Sequence, residues 1–389
     1  MRVTPVRSRA DLRAFVDLPL RLHPSDRYVP LLSSVIAAHR RTAELFLVRD
    51  ARGAVVGRTS VHRSAAFDAK VGPRQLFGHT EFVDDDAVFA AILDTVEARA
   101  DGRPLFGPVA LLPNQTGGVI TSGFAERGFV DSAWNPAYYP ATYERHGFRR
   151  RFESDTWLVD LRGGIFAPGS TAAALPVAPA PASAPVTAPT PAPDPADRDH
   201  GFRFDDARIA AERLVVRHGS RRHFRRQLPI LRQLLNASFA QLGYYTEISA
   251  AQLAEQTDGL AYLLDEGLLL WLEKAGRPIA FVVAVPDISE FLMAVGGRLG
   301  PLNQLRLLAT RARYRRDAVL IIKGTVPEEQ GKGYLTLLSR QLHRNLAAGG
   351  YRTLRSTFVE RENAASAAQY RRAGGRPLHG YTFYERAPA

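Results

Sequence analysis

One stretch made mostly of Ala, Pro, Thr and Val, "FAPGSTAAALPVAPAPASAPVTAPTPAPDPAD" (Phe166 to Asp197), cuts the chain in two. Proline fixes φ and removes a backbone donor, so a run in which it recurs sustains neither a helix nor a sheet ladder. No charge occurs there before Asp194, and the composition reads as a semi-extended linker, stiffer than a Gly/Ser one. The fold must therefore be assembled from two pieces, residues 1–165 and 200–389, with 166–199 as spacer. Each piece is long enough to bury its own core.

Both pieces spell out the same order of elements: hairpin, strand, helix, strand, short helix, strand. In the first, Ala43 to Ser64 reads as a hairpin turning at Asp50 to Gly53, Arg74 to Val83 as a strand, and Asp84 to Gly102 as a helix with an acidic start. "LFGPVALLP" is a further strand, Tyr138 to Phe148 a short helix, and Asp155 to Leu161 a last strand. In the second, two amphipathic helices precede a hairpin over Gly267 to Asp287, turning at Ala275 to Arg277. Then come a buried strand (Asp317 to Val326), a helix through Ala348, the strand "YRTLRSTFV", a short helix (Asn363 to Gly375) and the strand Gly380 to Arg386. The two short helices end alike, "YERHGF" against "YRRAGG", a weak internal repeat carried by element order.

The loop "VPEEQGKGYLTLL" (Val326 to Leu338) joins strand to helix in the second piece. A helix start leaves backbone N–H groups unpaired and carries about half a positive charge. Gly331 and Gly333 would let the backbone wrap an anion such as a diphosphate, and Lys332 adds a cation. The matching place in the first piece, "FVDDDAVFAAIL", has no Gly-x-Gly. Asp84, Asp85 and Asp86 would cap that helix themselves and repel a diphosphate.

Strand, "EEQGKG" loop, helix, strand and "ENAASAAQYRRAGG", in this order, resemble the GNAT superfamily of acyl-CoA-dependent N-acyltransferases over roughly residues 267–386. The whole chain is similar to bacterial tandem GNAT-like proteins, also through "LPNQTGGVITSGF" and "WNPAYYPATYERHGF" in the first piece. The resemblance implies an α/β (α+β) fold of two tandem GNAT-like domains, each a mixed, mostly antiparallel twisted sheet flanked by helices. It implies acetyl-CoA or another acyl-CoA as co-substrate, with no metal. Thr325 and Val326 would then face pantetheine, and Gln330, Gly331, Lys332, Gly333 and Tyr334 the diphosphate. Asn363 matches the family Asn that contacts the cofactor, and Tyr370 the Tyr that protonates the leaving thiolate. A phenol suits that task because its ordinary pKa of about 10 keeps the proton until a thiolate forms. One departure stands out. The family loop begins with Gln or Arg, and here Glu328 holds that place; pointed inward it would repel a diphosphate, which Gln330 or Lys332 would offset.

The general base is not fixed by the family. Asp287 and Glu290, after the hairpin strand, and Glu385, ending the last strand, are the candidate carboxylates; a water relay is the alternative. The chain has no Cys, which removes disulfides, Cys-ligated metals and a thiol intermediate, and favours direct attack in a ternary complex. The expected activity is transfer of an acetyl or other acyl group to an amine, with residues 200–389 catalytic and residues 1–165 degenerate for the cofactor.

Charge bears on the partner. The formal net charge is +12, and residues 200–389 hold 28 basic against 17 acidic side chains, which favours an anionic ligand or acidic acceptor. "LRLLATRARYRRDAV" gathers Arg306, Arg311, Arg313, Arg315 and Arg316 around Tyr314. This reads as a solvated face, an acidic-acceptor site or a tRNA contact. Aminoacyl transfer from tRNA is accordingly the alternative enzyme reading, and a non-catalytic acyl-CoA-binding scaffold the other. No apolar run approaches the roughly 20 residues of a membrane span, and "MRVTPVRSRADLRAF" lacks a signal-peptide core. The expectation is a cytoplasmic protein with a small-molecule amine or acidic acceptor and no membrane partner.

Overall fold

The computed structural model describes residues 1–110, 117–130, 132–162, 177–178, 204–257 and 264–388. Nearly all of the Ala/Pro-rich linker lies outside the described residues. The strands are β1 (Arg2–Pro5), β2 (Glu44–Arg49), β3 (Val55–His62), β4 (Gln75–Phe82), β5 (Leu105–Gly107), β6 (Val119–Ile120) and β7 (Arg149–Asp160). Within the linker lies the short β8 (Val177–Ala178), and after it come β9 (Leu214–His218), β10 (Leu269–Lys274), β11 (Arg277–Pro286), β12 (Asp317–Thr325), β13 (Thr353–Glu360) and β14 (Arg376–Arg386). β8 pairs with β9, so this run supplies two residues to the ladder, against the expectation that its prolines exclude one. The hairpins fall where the turn residues place them. At the β10–β11 turn Ala275 and Gly276 both have positive φ, 48° and 81°, the conformation that suits the twist of a two-residue hairpin.

All strands belong to one mixed sheet in the order β1-β2-β3-β4-β5-β14-β7-β13-β12-β11-β10-β9-β8, with β6 also on β14. The two pieces exchange their last strands. β7, which ends the first piece, lies antiparallel to β13 of the second, Thr353 opposite Asp160 and Ser356 opposite Trp157. β14, which ends the second piece, lies against β5 of the first, Tyr384 opposite Gly107 and Arg386 opposite Leu105. The sequence order of elements does not reveal this crossing, because a strand's pattern says that it is half-buried and not by whom.

The cores follow the exchange. Trp157, Val159 and Leu161 of β7 and the turn after it are buried with Leu269, Phe281, Leu337 and Tyr370 of the second piece. Tyr384 of β14 is buried with Phe77, Phe89, Tyr143 and Phe148 of the first and stacks on Tyr143, centroids 4.7 Å apart and planes 5° from parallel. Burying an aromatic side chain stabilises by roughly 1.5–3 kcal/mol, so each half depends on a ring supplied by the other. A buried ion cluster adds to the joint: Asp287 of the second piece meets Arg127 of the first at 3.0 Å and Arg355 at 3.2 Å.

Helices cover both faces of the second half. Phe224–Phe239 buries Leu231, Leu234 and Leu235, and Tyr334–Ala348 buries Leu337, Leu338, Leu342 and Leu346, the spacing of one helix face. Gly324 allows the first of these helices to sit directly on β12, since an added Cβ would lie 2.7 Å from Ser238 Cβ.

Two outcomes follow. Residues 200–389 made alone lack β7 and should be aggregated or poorly folded by size-exclusion chromatography and circular dichroism; co-expressed with residues 1–165 they should copurify as one folded species. Second, burial pushes His39, His343 and His379 down to about 4. Between the ordinary imidazole value of 6.5 and 4 the unfolded chain binds more protons than the folded one, so stability falls as pH falls through that window. Thermal melts should show a steep loss from pH 6.5 to 4, and His343→Leu should make it shallower.

Candidate functional site

β12 and β13 are parallel neighbours that part company. They pair from Asp317 opposite Thr353 to Leu320 opposite Ser356. Beyond that, β12 stays with β11, Thr325 opposite Ala280, while β13 goes with β7, Val359 opposite Asp155. The Thr357 hydroxyl donates to the Ile321 carbonyl at 2.6 Å and marks the fork. From there to Thr325 the outer edge of β12 faces a gap rather than a strand.

The glycine loop closes one end of that gap. After a single 3₁₀ turn at Pro327–Glu329 the chain reaches Gly331 (φ 76°) and Gly333 (φ 90°), and the helix begins at Tyr334. Both glycines hold a backbone shape that costs other residues about 1–2 kcal/mol. Nothing stands within 4 Å of where a Gly331 side chain would project, so the loop is open on that side. The first amides of the helix have no partner within it, by the geometry of any helix start. The Gln330 side chain donates to the Thr325 carbonyl at 3.2 Å, tying loop to strand.

The carboxylates of the loop are drawn off by cations. Glu328 is an exposed side chain paired with Arg277 at 3.7 Å. Glu329 is the more enclosed one, held by Lys332 at 2.8 Å and Lys274 at 3.3 Å, and the Lys332 bond holds its carboxyl below the usual range. Lys274 also donates to the Tyr334 hydroxyl at 3.0 Å, which in turn donates to Glu212.

The far wall is the Ala364–Arg372 helix. Asn363 caps it, its side-chain oxygen accepting from the Ser366 amide at 3.0 Å. Tyr370 is buried and stacks on Trp157 of β7, centroids 5.7 Å apart, so a strand of the first piece backs this ring. Burial pushes its hydroxyl up to about 12, with the Ser356 hydroxyl working the other way. Lys323, reaching from β12, places its ammonium 4.6 Å from the Tyr370 ring centre and donates to Gln369 Oε1 at 2.7 Å. Burial pushes it down to about 8.

Lys323 thus meets Gln369 and Tyr370 across the fork, and Gln330 is tied to Thr325 at its loop end, whereas Val326 is packed in the core and the Tyr334 hydroxyl is turned toward Lys274 and Glu212. Asp287, Glu290 and Glu385 stand apart from the fork. Asp287 lies past the end of β11, its amide bonded to the Asp317 carbonyl, six residues or about 20 Å of strand from Lys323. Its carboxylate is taken by Arg127, Arg355 and Ser289. Glu290 is exposed nearby. Glu385 sits against the first half, paired with Arg74 at 2.7 Å and Arg151 at 3.2 Å. Lys323 is the residue that sequence reasoning passed over; a lone charge within "AVLIIKGTV" is the signal that marks it.

The first half contains a second fork, at β4 and β5, paired only at Gln75–Leu105 and Leu76–Phe106. There the protein fills its own gap. Val109 donates to the Phe77 carbonyl at 2.8 Å, the Phe82 amide donates to the Tyr139 hydroxyl at 3.0 Å, and Tyr138 donates to the Phe82 carbonyl at 2.5 Å. Glu81 is buried against His23 at 2.7 Å and Tyr139 at 2.9 Å. The following helix is capped by Asp85, which accepts from the Ala87 amide at 2.8 Å, and Asp86 is paired with Arg145 at 2.6 Å.

No family model matches the sequence. Over 97% of its length the chain is 22% identical to protein YghO of Escherichia coli (strain K12), covering 93% of that protein. Over its whole length it is 23% identical to a bacterial ceramide synthase of Caulobacter vibrioides (strain NA1000 / CB15N), covering 97% of that protein. Among solved structures it superimposes on a tandem GNAT protein from the clavulanic acid biosynthesis pathway with a TM-score of 0.55, at 12% identity, covering 99% of this chain and 97% of that one. A GCN5-related N-acetyltransferase from Sphaerobacter thermophilus gives 0.52 at 10% identity, covering 99% and 95%. The architecture that the motif order predicts is the one observed: the chain has the tandem GNAT fold.

Proposed function

We propose that the chain transfers an acyl group from an acyl-CoA thioester to an amine, with the donor held in the β12–β13 gap. The observation that carries this reading is the contrast between the two forks. One has its strand edge bonded and its helix start capped by carboxylates. The other leaves the edge of β12 without a neighbouring strand between an open glycine loop and a buried tyrosine, with side chains, Thr357 and Gln330, on its Ile321 and Thr325 carbonyls. The amides from Gly331 to Tyr334, with Lys332, suit a diphosphate. The edge of β12 between those two bonds, around Lys323, suits the amide-bearing pantetheine arm as a stand-in strand.

In the reaction the amine nitrogen attacks the thioester carbonyl carbon, a C–N bond forms and the C–S bond breaks. The amine's proton leaves to water, and the Tyr370 hydroxyl gives its proton to the departing thiolate. The ammonium of Lys323 lies over the same ring and favours the phenolate so formed. The full-length relative named bacterial ceramide synthase favours a long-chain amine over a small polar one as acceptor, because a ceramide is an N-acylated long-chain amine.

Calorimetry on the full chain with acetyl-CoA and with a long-chain acyl-CoA tests the donor. Binding of at least one is expected, Gly331→Val should weaken it, and no binding of any acyl-CoA would remove the proposal. Tyr370→Phe should keep donor affinity while lowering kcat about 10²–10⁴-fold, the usual contribution of a positioned acid. Unchanged kcat would take that role from Tyr370. Lys323 offers an independent check. Its folded value of about 8 lies below the ordinary 10.5, so the unfolded chain binds the extra proton between them and stability rises with pH through that window. Melts of Lys323→Met should lack that rise.

A further inference from the structure

The segment inserted between β11 and β12, residues 287–316, contains six arginines against two carboxylates, Asp287, which is buried against Arg127 and Arg355, and Glu290 at its start. Its main element is the helix Pro301–Thr310. Leu307 faces inward and is 3% exposed, whereas Leu302 is 82% and Leu305 63% exposed. Positions 302, 305, 306 and 309 share one side of a helix, so the outward side presents two leucines and Ala309 beside Arg306. Arg311, Arg313 and Arg316 continue the exposed positive surface past the helix end.

The surrounding contacts keep this face in place. Arg298 pairs with Asp17 at 2.5 Å and Arg315 with Asp265 at 3.7 Å. The side chains of Asn303 and Gln304 donate to the carbonyls of Arg298 and Leu299, at 2.7 and 3.1 Å, and pin the helix start. The Ser33 amide donates to the Gly297 carbonyl at 3.0 Å, which brings the Ser33–His39 helix, with Val35 41% exposed, to the base of the insertion. Of the large apolar side chains exposed among the described residues, all but Met1 therefore lie on this one end.

We propose that this face docks the protein peripherally on an anionic lipid bilayer, with Leu302 and Leu305 entering the interface and the arginines meeting lipid phosphates. Charge complementarity and the leucines together select that partner. Phosphates alone would explain the arginines, as in a nucleic-acid contact, but aliphatic side chains gain little there, whereas a bilayer takes both. No helix among the described residues is long and apolar enough to cross a membrane, so the contact is one of lying on the surface. It departs from the expectation, drawn from sequence, of no membrane partner. It rests on exposure and charge alone and does not depend on the acyl-transfer reading.

Flotation of the full chain, without substrates, tests it on two kinds of vesicle: phosphatidylcholine alone, and phosphatidylcholine with phosphatidylglycerol in equal parts. The wild type should float with the anionic vesicles only, and less at high salt. Leu302→Ser with Leu305→Ser should abolish flotation. Arg306→Gln with Arg313→Gln should lower the partition coefficient about fivefold per arginine. Arg52→Gln, on the exposed β2–β3 turn outside this segment, should leave it nearly unchanged. Unaltered circular dichroism would confirm that each variant is folded. Equal flotation of wild type and the leucine variant overturns the proposal. So does tRNA binding that the arginine variant loses and the leucine variant keeps, without anionic-vesicle binding by the wild type.

Discussion

The packing of Trp157 against Tyr370 is the contact on which the candidate site depends. Tyr370 has to stand at a fixed height above the fork between β12 and β13, and its own short helix ends only two residues beyond it. The flat face behind it comes from β7, a strand that precedes the linker in sequence. Without β7, β13 would lose its second neighbour and the fork would lose the strand that draws β13 away from β12. The gap is therefore a product of the whole chain even though its polar residues belong to the second piece.

Comparison of the two forks shows how small a change separates a cradle from a plug. In the second half the helix start carries glycines at positive φ, and its carboxylates are turned aside by Arg277, Lys274 and Lys332. In the first half a carboxylate, Asp85, is itself the cap, and the tyrosines 138 and 139 bond to the strand edge. The buried cluster of Glu81, His23 and Arg58, whose guanidinium lies 3.6 Å from the Glu81 carboxylate, then has nowhere to open to. What differs is whether the rest of the chain bonds the backbone beyond the fork, as Val109, Tyr138 and Tyr139 do in the first half.

The local elements were legible in the sequence because they follow from short-range rules. The β10–β11 turn, the acidic helix start after β4, and the glycines of the loop each declare themselves within a few residues. The glycine loop, the helix after it and the short helix that carries Tyr370 fall where motif order places them. What could not be read was anything set by partners far away in sequence. The alternation in β7 marks a buried face without naming β13 as its neighbour. Asp287 and Glu385 look like free carboxylates in sequence, and each is occupied by two arginines from elsewhere in the chain. Lys323 escaped for the opposite reason: its importance lies in burial beside Tyr370, which no spacing encodes.

The position of β14 also has a consequence for synthesis. Its neighbours in the sheet, β5 and β7, are both made long before it. Until β14 leaves the ribosome, those two earlier strands keep a vacancy between them, lined by ladder groups and by the ring of Tyr143 awaiting Tyr384. Unpaired edges of that kind recruit other chains. A nascent copy of this protein is thus most prone to aggregation before β14 has emerged, and a ribosome stalled ahead of β14 would release a species whose first half is as unfinished as its second.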